Sequence, residues 1–158
     1  MRRAAAGAVI AAGALCAVGL AGCSPGLPQG VDEAKVHSEI SSAIGDPNTC
    51  VLIGQQGSGK VVYRYNTHTT CARSLPACEG GRVQTVEELL KATAADGKAR
   101  ATSCNSTADG SRGVGWASGA LTGKGKGLVY AAVMEGDRAF PGRMMAERLS
   151  SALRDAGL

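Results

Sequence analysis

The sequence has few aromatic side chains, few histidines and no large excess of charge of one sign. Phe, Trp and Tyr make up 3% of its 158 residues, there are 2 histidines, and the formal net charge at pH 7 is +4. Domains that bind nucleic acid combine a strong basic patch with aromatic rings on which bases stack. The composition therefore argues against nucleic acid as a partner.

The spacing of metal ligands is also missing. The chain has 6 cysteines, but none of them forms a C-x-x-C pair, and the two histidines, His37 and His68, are isolated. Structural zinc sites use such closely spaced pairs. We therefore predict no metal and no other cofactor, and we interpret both histidines as solvated surface residues.

Residues 54–60, GQQGSGK, have the glycine–lysine spacing of a phosphate-binding loop but lack its hydroxyl group. Val61 stands where a Ser or Thr would bind magnesium. The following residues, VVYRYN, are β-branched and aromatic, which favours a strand over a helix. We therefore predict a β-hairpin, with glycines supplying positive φ in its turn, and no nucleotide.

The N-terminus has the order of an export signal. Arg2 and Arg3 precede an apolar run that ends in LAGC, residues 20–23. This ending resembles the lipobox of bacterial lipoproteins, in which the cysteine is lipidated and becomes the first mature residue. The alternative is a plain secretory signal with a chance cysteine.

The lipobox resemblance implies three segments and a location. Residues 1–22 would be the signal peptide, residues 23–30 a flexible tether lipidated at Cys23, and residues 31–158 a single domain. We expect palmitate on Cys23 and attachment to the cell membrane outside the cytoplasm. Such a compartment offers little nucleotide and permits disulfides, so we expect Cys50, Cys71, Cys78 and Cys104 to be paired.

The hydrophobic pattern predicts an α+β domain. Helices are expected over 31–44, from a capping box of Thr85 and Glu88 to Asp96-Gly97, and from Pro141 to Gly157. Strands are expected over 49–54, 60–66, 98–104, 112–121 and 128–134, the last being apolar throughout and therefore central. These elements fit a five-stranded antiparallel sheet with the terminal helices packed on one face.

That element order resembles the α/β half of the penicillin-recognising family, which includes the serine β-lactamases, class D enzymes above all, and the penicillin-binding transpeptidases. VLIGQQGSGKVVYRYN is similar to the family's first hairpin. Ser74-Leu75-Pro76-Ala77-Cys78 resembles the Pro-Ala-Ser that opens its Ser-x-x-Lys motif. Gly97-Lys98-Ala99-Arg100 lies where Gly-Lys-Thr-Gly would be. VGWASGAL followed by LVYAAVMEG resembles the family's last two strands.

The departures from the family concern its catalytic parts. The family needs a serine and, one helical turn later, a lysine that accepts its proton. Those positions are Cys78 and Gly81 here. Ala99 and Arg100 replace the family's threonine, whose hydroxyl helps to hold a substrate carboxylate, and its glycine, which leaves room for that carboxylate. About fifteen residues occupy the interval in which the family inserts a helical subdomain, so we expect that subdomain to be absent.

The resemblance also bears on the cysteines. In a sheet of this order two strands separate the first strand from the third, a distance of about 14 Å at about 4.8 Å per strand. A Cys50–Cys104 bond would exceed disulfide reach. The remaining pairings are Cys50–Cys71 with Cys78–Cys104, and Cys50–Cys78 with Cys71–Cys104.

Three hypotheses of function follow. The first is a non-catalytic envelope lipoprotein that binds a partner protein or an envelope ligand such as peptidoglycan, with Lys98 and Arg100 as candidate anion-binding residues or, alternatively, as charges that protect a strand edge. The second is an acyl-transfer or β-lactam-reactive hydrolase that uses Cys78 or Ser74, beside Lys98. The third is a structural envelope lipoprotein unrelated to that family.

Overall fold

The computed structural model describes residues 26–158. The predicted signal peptide, the lipobox and Cys23 lie outside these residues. The α-helices and strands, in chain order, are α1 (Glu33–Ile44), β1 (Thr49–Gln55), β2 (Val61–Tyr65), α2 (His68–Cys71), β3 (Leu75–Pro76), β4 (Val83–Gln84), α3 (Val86–Asp96), β5 (Arg100–Asn105), β6 (Gly113–Ala120), β7 (Leu128–Gly136) and α4 (Gly142–Asp155). One turn of 3-10 helix, Gly123–Gly125, lies between β6 and β7.

The main sheet has five strands in the order β2-β1-β7-β6-β5, and every neighbouring pair is antiparallel. The predicted architecture is therefore confirmed. All nine residues of β7 are buried, as expected of a continuous apolar run at the centre of a sheet. The hairpin predicted from GQQGSGK is also present, and Gly57 and Gly59 adopt φ values of 86° and 67° in its turn.

The two terminal helices, α1 and α4, cover one face of the sheet. Their apolar stripes pack on strand residues in one core cluster, whose largest fully buried members include Ile40, Ile53, Met145 and Leu149. A face of small residues on β6 lets α4 approach closely. A Cβ atom on Gly115 would lie 2.1 Å from the carbonyl oxygen of Phe140, so a larger residue cannot be accommodated there without movement.

The opposite face is covered by α3 and by the segment that joins β2 to it. Thr85 and Glu88 form the predicted capping box, since each side chain accepts a hydrogen bond from the other residue's backbone N–H. Gly97 ends the helix with a φ of 69°. The core on this face includes Leu90 and Trp116, so the sheet is buried on both sides.

The sequence shows no helical or strand pattern over residues 67–81, but the structure forms short elements from here to residue 84. Helix α2 is one turn long, and the two-residue strands β3 and β4 pair with each other. Neither element is long enough to show a hydrophobic period, which explains why no pattern indicated them.

The packed part of the chain begins earlier than the predicted boundary at residue 31. Leu27 and Val31 lie against the core cluster of the terminal helices, and the Val31 N–H donates to the Pro28 carbonyl over 3.1 Å. Leu27, within the predicted tether, therefore packs on the domain. No helix within residues 26–158 is long and apolar enough to cross a membrane.

Candidate functional site

A groove runs beside the edge strand β5, on the face of the sheet that carries α3. We call it the edge groove. It has a volume of ≈ 450 Å³, and its lining combines apolar and charged side chains from β5, β6, α3 and the β3–β4 hairpin: Ala77, Glu79, Arg82, Val83, Gln84, Glu88, Leu89, Ala92, Arg100, Thr102 and Trp116. Val83, at 66% exposed, is the most exposed large apolar side chain of the described residues.

The β3–β4 hairpin forms one wall of the edge groove and is held by two cross-links. The Trp116 Nε1–H donates to the Pro76 carbonyl oxygen over 2.7 Å. A disulfide joins Cys78, just after β3, to Cys104 on β5, with their Cα atoms 5.4 Å apart. The second disulfide, Cys50–Cys71, ties β1 to α2. The first of the two predicted pairings is therefore the one found.

The disulfide decides what Cys78 can do chemically. Its sulfur is bonded to Cys104, so it has no thiol to act as a nucleophile. No helix begins at this residue, because Cys78, Gly80 and Gly81 all have positive φ, at 67°, 62° and 66°. The segment is the turn between β3 and β4, and it brings no lysine one helical turn after Cys78.

The Arg100 guanidinium is already paired. It donates from Nη2 to Oδ2 of Asp96 over 2.7 Å and from Nη1 to Oδ1 over 3.0 Å, and Nη1 also lies 2.9 Å from the Lys98 carbonyl oxygen. Hydrogen bonds from Arg100 lower the pKa of Asp96 to about 2. Lys98 is exposed and does not line the edge groove. The two predicted anion-binding residues therefore do not converge on one site.

Ser74, the other candidate nucleophile, is exposed in the loop between α2 and β3. Within the described residues its hydroxyl has no hydrogen bond to a histidine, lysine or carboxylate. The structure thus places Cys78 and Arg100 near the edge groove and leaves Ser74 outside its lining.

The most strongly connected charged group is one that the sequence analysis missed. Glu135, at the end of β7, is 4% exposed and receives hydrogen bonds from Arg112 (2.8 and 2.9 Å), Arg73 (2.7 Å) and Ser106 (2.8 Å). The signal available in the sequence was a single carboxylate near the end of an otherwise apolar, buried strand, because such a group needs partners.

Hydrogen bonds from Arg112 are the largest cause of a lowered pKa at Glu135, which falls to about 2 despite burial. A carboxylate that is this acidic and fully hydrogen-bonded is a poor proton acceptor at neutral pH. The cluster joins the segment after α2 and the β5–β6 turn to the sheet, and we interpret it as structural.

The histidines do not gather ligands. His37 lies on α1 with its ring 4.9 Å from that of Tyr65, and its Nδ1 is 3.5 Å from the Tyr63 hydroxyl. Burial is the main reason that the pKa of Tyr63 rises to about 12. Among residues 26–158 no group of three His, Cys, Asp or Glu side chains is arranged to hold a metal ion.

Comparison with known proteins identifies no family for this chain. No protein-family model matches this chain, and no curated protein or solved structure is significantly similar to it.

Proposed function

We propose that this chain is a non-catalytic, lipid-anchored domain of the cell envelope that binds an extended segment of a partner protein in the edge groove. The observation that carries the proposal is the Cys78–Cys104 disulfide, which fixes the groove wall against β5 and occupies the Cys78 sulfur, at the position where the resembled family has its serine nucleophile. The element order supports the proposal of a domain of the penicillin-recognising type that lacks the family's catalytic residues.

The partner's form follows from the edge strand. Only β6 pairs with β5 among the described residues, so the outward-facing N–H and C=O groups of alternate β5 residues have no strand partner. An extended segment that adds to a sheet edge gains main-chain hydrogen bonds, while neighbouring pockets select its side chains. The edge groove provides such a pocket, with exposed apolar Val83 on its lining.

The charged residues of the edge groove favour a polypeptide over a simple anion as its ligand. Glu79 and Glu88 line it together with Arg82, and Arg100 is already paired with Asp96. A free carboxylate or phosphate would meet acidic groups beside the basic ones. A peptide with apolar and mixed polar side chains matches this lining better.

Photo-crosslinking in cells tests the binding site. A photoreactive residue at Val83 should give a discrete adduct with one envelope protein. The same residue at Met144, which is also apolar and exposed (40%) but lies on α4, should not. Equal adducts from both positions, or none from Val83, would contradict binding in the edge groove.

The enzyme hypothesis is tested separately with a labelled penicillin and a chromogenic cephalosporin. We expect neither a covalent adduct nor hydrolysis above the rate in buffer, because positioning and electrostatic stabilisation supply much of an enzyme's rate and the groove lacks a nucleophile–base pair. Activity that disappears in Cys78→Ala would revive the hydrolase hypothesis with Cys78 as its nucleophile. Activity that disappears only in Ser74→Ala would assign the nucleophile to Ser74.

The proposed anchor rests on residues 20–23 and is tested by Cys23→Ser. The variant should remain unprocessed or leave the membrane fraction, because stable attachment needs acyl chains on this residue. A Cys23→Ser protein that is processed and still sediments with membranes would refute the lipidation site.

A further inference from the structure

One end of the domain collects lysines. Lys60 follows the β1–β2 turn, Lys98 follows α3, and Lys124 and Lys126 lie in the loop between β6 and β7. All four are exposed, and none forms an ion pair within residues 26–158. We call the surface formed by these four residues the lysine end.

Backbone contacts show that these turns form one surface. The Gln56 N–H, in the β1–β2 turn, donates to the Gly127 carbonyl oxygen over 2.9 Å. The next N–H, that of Gly57, donates to the Ala94 carbonyl oxygen in the last turn of α3 over 2.8 Å. The three segments that carry the four lysines therefore meet at the β1–β2 turn.

The N-terminal segment leaves the domain at the same end. Helix α1 finishes beside the start of β1, where the Thr49 hydroxyl donates to the Ile44 carbonyl oxygen over 2.9 Å. Its 12 residues extend about 18 Å back along the strand, toward the β1–β2 turn. After burial, the charge of Glu33, in the first turn of α1, is the next cause that raises the pKa of Tyr63, and Tyr63 pairs with Ile53 near the β1–β2 turn.

The acidic groups near this end are partly engaged. Asp96 is paired with Arg100 over 2.7 Å, and Glu87 is paired with Lys91 over 2.8 Å. Asp32 and Glu33 at the start of α1 and Asp155 in the last turn of α4 are the other acidic groups here. The Leu158 carboxylate also lies at this end, beside Gly125, and Arg154 in the last turn of α4 adds a positive charge. The four unpaired lysines and Arg154 exceed these acidic groups by one charge, and the lysines themselves cluster on the turns, so the excess positive charge lies on the lysine end.

The distance to the predicted anchor is short. Cys23 is four residues before Leu27, so an extended chain spans at most about 14 Å between them. We propose that, with Cys23 in the membrane, the lysine end lies against anionic lipid headgroups and serves as the second signal of a two-part anchor. This inference rests on the proposed lipid anchor. A basic surface held this close to a membrane is attracted to anionic lipid and strengthens acyl attachment.

Lysine footprinting of the full chain tests the orientation. The membrane-extracted protein is reconstituted in vesicles of phosphatidylcholine alone or with phosphatidylglycerol, and sparse amine labelling is read by mass spectrometry. An Arg138→Lys variant supplies a reference lysine, because Arg138 is exposed in the turn after β7, at the opposite end. We expect the labelling rates of Lys124 and Lys126 to be at least about threefold lower on anionic vesicles than on neutral ones. The reference lysine should be unchanged.

Salt and charge variants separate electrostatic contact from shielding by the anchor. Protection should disappear at about 1 M salt, where the screening length is about 3 Å. Lys124→Glu with Lys126→Glu should abolish protection of Lys60 and Lys98. Arg138→Glu with Arg143→Glu, the same charge change at the opposite end, should preserve it.

The outcomes distinguish the two proposals. A chain that sediments with anionic vesicles but shows equal labelling on both kinds of vesicle would overturn the orientation and leave the anchor in place. A chain that does not sediment with either kind would overturn both. Protection by a soluble polyanion but not by anionic vesicles would assign the lysine end to a partner other than the membrane.

Discussion

Arg112 donates to both carboxylate oxygens of Glu135, from Nε to Oε1 over 2.8 Å and from Nη2 to Oε2 over 2.9 Å. Paired, parallel bonds of this kind are among the stronger hydrogen bonds in proteins. Arg73 and Ser106 complete the set, so this carboxylate joins the segment after α2 and the β5–β6 turn to β7. Because Glu135 is only 4% exposed, removing its charge leaves two guanidinium groups without their partner.

We expect Glu135→Gln to lower the free energy of unfolding by roughly 2–3 kcal/mol. Breaking a buried ion pair costs more, but the arginines are 34% and 40% exposed, and solvent reduces the loss. The control is Glu147→Gln, which removes a 3.6 Å pair with Arg143 whose side chains are 70% and 89% exposed. Urea denaturation should show a change below about 0.5 kcal/mol for the control. Equal changes in the two variants would contradict the structural role of Glu135.

The same carboxylate should make stability depend on pH. Its pKa in the folded protein is about 2, against an ordinary value of 4.5. A lowered pKa stabilises the folded state above the unfolded value, and the stabilisation is lost as pH falls through the folded value. The stability difference between the native protein and Glu135→Gln should therefore be constant above about pH 5 and shrink toward pH 2. Asp96 and Asp109 also have pKa values of about 2, but they are common to both proteins and cancel in the difference.

The disulfides should be closed in the native protein, so thiol labelling of the denatured, unreduced chain should find none free among Cys50, Cys71, Cys78 and Cys104. Replacing Cys78 and Cys104 together by Ala should cost about 3 kcal/mol, as expected for a bond that closes a loop of this size. Replacing Cys50 and Cys71 opens a loop of similar length, because this disulfide joins residues 21 apart in sequence and the other joins residues 26 apart.

The Cys50–Cys71 variant should nevertheless lose more. Cys50 is 0% and Cys71 6% exposed, so the smaller side chains also leave a cavity that adds about 1–2 kcal/mol. A stoichiometric free thiol at Cys78 in the native protein, or a Cys78 and Cys104 double variant as stable as the native chain, would contradict the bond that fixes the groove wall.

Local patterns predicted the features that depend on neighbours in sequence. The apolar run of β7 indicated a strand buried on both faces, and the spacing of Thr85 and Glu88 indicated the start of α3. Each of these depends on a period or a cap within a few residues. The sheet order additionally required the resemblance to a known fold.

Long-range pairings could not be predicted in the same way. Glu135 meets Arg73 across 62 residues and Arg112 across 23, and no local pattern links such positions. The edge groove was missed because its wall, the β3–β4 hairpin, consists of two-residue strands held by a disulfide whose partner was left open between two pairings. Geometry in three dimensions, and not propensity, decides these contacts.

The glycines of β6 provide a test of how closely α4 approaches the sheet. A Cβ atom on Gly115 would lie 2.1 Å from the Phe140 carbonyl oxygen and 2.9 Å from the Met145 sulfur. The methionine end can move, but the backbone oxygen that precedes α4 cannot move without displacing the helix. We therefore expect Gly115→Ala to lower the free energy of unfolding by roughly 1–3 kcal/mol, the usual cost of overpacking, even though alanine suits a strand better than glycine does.

Gly113→Ala is the matched control for this prediction, because it lies two residues earlier on the same strand and its nearest contact would be 3.6 Å, an ordinary van der Waals distance. At this site the added methyl group should leave stability unchanged or raise it slightly, since alanine restricts the unfolded chain. The changes in unfolding free energy of the two variants, measured by thermal and urea denaturation, should therefore differ in sign or at least several-fold in size. Similar values would mean that α4 does not rest on the small-residue face of β6, and the packing of the terminal helices on the sheet would have to be revised.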